Sequence, residues 1–210
     1  MIRCRILYQK TEPLRYTGNL DLQKIWERFL RRADLPVAYS QGFHPQPRIQ
    51  QAVPLPLGFL STGELTDIYL DDDNLAPAQV ISSLEAMPYP GIEITKVEMV
   101  DLSQPSLATR VRFSEYRAEF FDPVDAAELT TRVTDVLAAP NLIRTRREKE
   151  YDLRPLIESL EVIPSDSGPT LKMTLAARQS ATGRPEEVLS ALGFGPYDAR
   201  YTRTRILLAD

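Results

Sequence analysis

The chain has 210 residues, 43% hydrophobic and 26% charged, which suits one large soluble unit or two smaller ones. A single cysteine (Cys4) and a single histidine (His44) exclude an internal disulfide framework, and also multi-histidine metal sites and cysteine-ligated zinc or iron–sulfur centres built by this chain alone. The net charge of −4 is unevenly spread: residues 1–60 carry nine Lys/Arg against four Asp/Glu, residues 61–108 one against nine, and residues 109–210 fifteen against sixteen.

Residues 2–8 alternate polar and apolar side chains and predict a strand. Leu22, Ile25, Trp26, Phe29, Leu30 and Ala33 share one face of a helix over 20–33, with Asn19 as its N-cap and Asp21 in its first turn. Pro36 ends it. Four prolines in 40–62 predict an ordered loop at 40–47, an edge strand near 48–53 and a turn around Gly58. A strand at 64–70, a helix at 76–87 and a strand at 92–100 follow. This is β-α-β-β-α-β, the ferredoxin-like order.

The order then recurs: a strand at 109–121, a helix after Asp122-Pro123, strands at 142–150 and 169–177, a helix from Pro185 stopped by Gly193, and a strand at 200–208. The stretch 151–164 has room for a helical turn and a further strand. The expectation is an α+β protein of two tandem ferredoxin-like halves, 1–102 and 108–210. No run approaches the roughly 20 apolar residues of a membrane span, and the N-terminus lacks a signal-peptide pattern. A cytoplasmic protein without membrane contact is expected.

Two clusters have chemical potential. Residues 14–22 set Arg15, Tyr16, Asn19 and Asp21 around a helix start, where free N–H groups and Arg15 suit a phosphate or carboxylate. The competing structural reading pairs Arg15 with Asp21 and leaves Asn19 as a cap. Residues 39–49 hold Gly42, His44 and Arg48 in a loop stiffened by Pro45 and Pro47. His44 has the chemistry of an acid/base, a base-stacking group or a phosphate donor, and equally of a loop-bracing imidazole. Arg28, Arg31 and Arg32 on the preceding helix, with Arg48, predict a local basic face for RNA or a protein partner. Arg144, Arg146, Arg147 and Lys149 interleave with Glu148 and Glu150 and read as a solvated edge strand. Asp71-Asp72-Asp73-Asn74 reads as a turn, with no metal site or cofactor expected.

The segments at 14–22, 31–36, 39–49, 54–58 and 63–67, with 149–157 and 184–192, together resemble the DUF2344, or radical-SAM-linked, protein family. Asn19 stands where many members carry histidine. The resemblance implies a radical-SAM protein as partner and RNA or ribosome-related modification as setting. One cysteine cannot bind the radical cluster, so this chain would be a noncatalytic or substrate-presenting companion. Two alternatives stay open. One is an RNA-acting enzyme, cleaving RNA or forming pseudouridine-type products with Asp21 or His44. The other is a structural interaction module.

Overall fold

The computed structural model describes residues 1–165 and 168–209; residues 166, 167 and 210, inside the expected second half, lie outside that description. The fold is mixed α+β, and the chain divides into two compact units, Met1–Val111 and Arg112–Ala209.

The first unit runs β1 (Ile2–Lys10), α1 (Asn19–Arg32), β2 (Ile49–Gln51), β3 (Leu60–Leu70), α2 (Pro77–Ala86), β4 (Ile92–Val100) and a helical turn α3 (Leu107–Arg110). Its strands lie in the order β2-β3-β1-β4, each pair antiparallel. Cys4, Ile6 and Tyr8 face the helices, where they pack on Trp26, Phe29 and Leu30 of α1 and on Val80 and Leu84 of α2. The Tyr8 and Trp26 rings meet edge to face, 4.9 Å between centroids. Trp26 is fully buried, and a cavity in its place would cost about 3–5 kcal/mol. The expected cap is corrected. Gly18, in extended backbone, is the N-cap and makes no side-chain cap bond. Leu22 N already donates to the Gly18 carbonyl, so Asn19 is the first helical residue.

The opposite face of this sheet is charged. The register sets Arg3 opposite Tyr69 and Arg5 opposite Asp67. Asp67 is 0% exposed, and its carboxylate accepts from Arg3 Nε at 2.8 Å and from Arg5 Nε and a terminal nitrogen at 2.8 and 3.0 Å. Residues 101–110 fold over this face. The Arg3 guanidinium also donates to the carbonyls of Gln104 and Pro105, and Leu107 is fully buried.

The second unit contains β5 (Val111–Phe120), α4 (Ala126–Ala138), β6 (Ile143–Arg146), β7 (Lys149–Asp152), β8 (Ile157–Ile163), β9 (Thr170–Arg178), β10 (Ala181–Thr182), α5 (Pro185–Ala191) and β11 (Ala199–Leu208). Its main strands follow β8-β9-β5-β11, with the short β10 also on β9. Leu129, Val133 and Val136 of α4, Val188 and Leu189 of α5, and Leu171, Met173 and Leu175 of β9 are buried. Asp125, not Asp122, caps α4, its carboxylate accepting from Glu128 N at 2.8 Å.

The strand expected at 142–150 is two strands. Arg147 and Glu148 have φ of 47° and 64°, and two consecutive left-handed residues close a tight hairpin between β6 and β7. The second strand of the main sheet is β8, preceded by a 3₁₀ turn at Arg154–Leu156.

Candidate binding surface on the first unit

The loop joining α1 to β2 is tied at its base. Ala38 N donates to Tyr69 O at 2.8 Å, Arg48 N to Ala38 O at 2.8 Å, and Tyr69 N to Arg48 O at 3.1 Å. One step further out, Ser40 N donates to Gln46 O at 2.8 Å and Gln46 N to Ser40 Oγ at 2.9 Å. These bonds hold the 41–45 tip, where Gly42 has a φ of 132° with no heavy atom within 4 Å of an added Cβ. Phe43 is 101% exposed, and His44 beside it is exposed as well. The His44 carbonyl accepts from the Gln46 amide at 3.4 Å, while its imidazole makes no hydrogen bond among the described residues.

Arg48 lies 3.9 Å above the Tyr69 ring and points a terminal nitrogen at Met1 Sδ, 3.1 Å away. It lines a cleft of about 620 Å³ with Val37, Tyr39, Gln41 and Asp71. Tyr39 also borders a smaller cleft of about 320 Å³ with Arg31, Glu27, Asp34 and Pro47. Arg31 of α1 and the loop therefore share a surface. Arg28 and Arg32 are exposed on α1.

The other cluster lies at the far end of α1. A 14-residue helix spans about 21 Å. At its start, Arg15 Nε donates to the Gly58 carbonyl at 3.0 Å, and the guanidinium sits 3.8 Å from Glu12 and 5.3 Å from the centre of the exposed Tyr16 ring. Arg15 thus braces a turn and does not pair with Asp21. The Asn19 side-chain oxygen is buried without a hydrogen-bond partner among the described residues, and Asp21 is exposed. Asp21 and His44 are joined by no hydrogen bond or ion pair among the described residues. The structure gathers Arg31, Gly42, His44 and Arg48 around the loop and leaves Arg15, Tyr16, Asn19 and Asp21 apart from them.

Sequence reasoning gave no role to the buried Arg3–Asp67–Arg5 group. Arg3, Arg5 and Asp67 stand at alternate positions of their strands, a pattern that a solvated sheet face also gives. Burial beneath the helices, with the negative charge of Asp67, pushes the Cys4 thiol up to about 11, which keeps it protonated.

Over 99% of its length the chain is similar in fold to 50% of one chain in a crystal structure of a Cbf5-Nop10-Gar1 complex, with a TM-score of 0.52 and 8% sequence identity. At that identity the likeness shows fold alone, and the chain spans about half the length of the chain it matches. No curated protein matches the sequence. Residues 3–185 match the DUF2344 family, described as uncharacterized protein conserved in bacteria, and the chain belongs to that family. Among the described residues no helix is long and apolar enough to cross a membrane.

Proposed function

We propose that the chain consists of two ferredoxin-like halves and serves as a noncatalytic, substrate-presenting companion of a radical-SAM enzyme acting on RNA in the cytoplasm. The strand order β2-β3-β1-β4 in one unit and β8-β9-β5-β11 in the other supports the paired architecture. The radical-SAM partner rests on the family resemblance alone.

The observation that carries the binding role is Phe43, wholly exposed at the tip of a loop whose base is hydrogen-bonded on both sides. Leaving a phenylalanine in water forgoes about 1.5–3 kcal/mol of burial. Stacking on a nucleobase recovers part of that, and a loop already held in place loses little entropy on binding. Arg28, Arg31, Arg32 and Arg48 supply charge for the phosphates. The separation of Asp21 from His44 supports the noncatalytic reading, since a histidine base needs a group to orient it.

The test is affinity capture with the full chain from native cytoplasm, with and without nuclease, using the unaltered protein and Phe43→Ala. A radical-SAM protein recovered under both conditions, with RNA reduced in the variant, is the expected result. RNA recovered without such a protein, or product formed by the purified chain alone, would overturn the companion role.

A further inference from the structure

We propose a phosphate-binding pocket in the second unit, formed by Arg146, Arg147, Lys149 and Arg184. It is independent of the loop in the first unit. In the sequence these cations alternate with Glu148 and Glu150, and the β6–β7 hairpin sorts them by face. Arg146 pairs with Lys149 and Arg144 with Tyr151, so these four side chains share one face. Thr145 pairs with Glu150, and Ile143 with Asp152, on the reverse face. Arg147 sits in the turn itself.

Arg144 is committed to Glu187, 3.1 Å away, and links the hairpin to α5. Arg146, Arg147, Lys149 and Arg184 have no ion-pair partner among the described residues. Together with Tyr151 and Thr182 they line a cleft of about 540 Å³. The one carboxylate on its wall, Asp152, already accepts from Leu142 N at 2.7 Å and Arg154 N at 2.9 Å. Glu186 is near Arg184 and Arg146, and burial raises its pKa above the usual carboxylate range. The Tyr151 ring lines the cleft, while its hydroxyl is shut off from solvent, and burial raises its pKa.

Four cations gathered on one cleft, without an ion-pair partner among the described residues, give a surface that a phosphate neutralises. Guanidinium forks match phosphate oxygens in pairs, and four cations exceed what one carboxylate needs. The cleft has the size of ordinary small-ligand sites. The shared chemistry is a phosphate ester, carried by a free nucleotide or by an RNA strand.

Calorimetric titration of the full chain at low salt with inorganic pyrophosphate tests the site. Binding is expected, weakening as salt rises. Arg146→Ala/Lys149→Ala should weaken it more than about tenfold. Phe43→Ala should leave it unchanged. If circular dichroism shows the double variant unfolded, Arg147→Ala in the exposed turn takes its place. Parallel titrations with a nucleoside diphosphate and an eight-nucleotide single-stranded RNA identify the source, since the tighter ligand names it. No binding of pyrophosphate at millimolar concentration, or unchanged affinity in the folded variants, would overturn the site.

Discussion

The two units carry insertions at the same topological place, between the first helix and the second main strand, and they use it differently. In the first unit the insertion is the loop ending at Arg48. Its base is sewn to β3 by backbone bonds, and its tip holds Phe43 and His44 in solvent. In the second it is the β6–β7 hairpin, linked to α5 by Arg144 and Glu187 and lining a cationic cleft. A common strand order leaves this connection free to vary, because neither insertion belongs to the main sheet. The first exposes an apolar ring for a partner to cover. The second keeps like charges close together, which an anion would relieve.

The comparison breaks most sharply if the frame beneath the loop fails. Asp67→Ala leaves Arg3 and Arg5 buried without their carboxylate and should destabilise the first unit by about 3–5 kcal/mol in denaturant titration. Loss under 1 kcal/mol would show that water reaches these arginines.

Cys4 reports on the same frame through pH. Its thiol ionises near 9.0 when unperturbed and about 11 in the fold. The folded state therefore favours the protonated form. The contribution is intact below pH 9 and declines toward pH 11, by up to about 2–3 kcal/mol. Subtracting the stability profile of Cys4→Ala isolates it, and a flat difference would contradict the burial. Truncating the hairpin cations should leave that difference unaltered.

Asp152→Ala removes the acceptor for Leu142 N and Arg154 N at the two ends of the hairpin. A loss of about 2 kcal/mol is expected, together with faster amide exchange in 142–154. Phe43→Ala should have the smallest effect on stability, within about 0.5 kcal/mol, while weakening RNA or partner binding about tenfold. Destabilisation by 2 kcal/mol would mean that the ring packs in solution and is not presented.

Much of the fold is legible in the residues. Trp26, Phe29 and Leu30 announce the buried face of α1, and the alternation of Cys4, Ile6 and Tyr8 announces β1. The strand over 92–100 is found where its alternation places it. The hairpin was not legible, because Arg147-Glu148 lacks the Asn-Gly signature of a two-residue turn. The site was legible in part. Prolines and glycine mark 40–47 as an ordered loop, but nothing local shows that the Arg15 cluster lies at the opposite end of α1.

By itself the sequence determined the order of the main helices and strands of the first unit, the family, and which residues are apolar enough to be covered. These depend on periodicity and residue type, which are local. Tertiary structure alone decided which charges meet. Asp67 joins Arg3 and Arg5 across 62 to 64 positions, because β3 lies against β1 in that register. Lys149 joins Arg146 because the turn reverses the chain, and Glu150 is carried to the reverse face by the pleat. Charge in a sequence is a sum over residues, whereas charge at a surface depends on which side chains the backbone aims the same way.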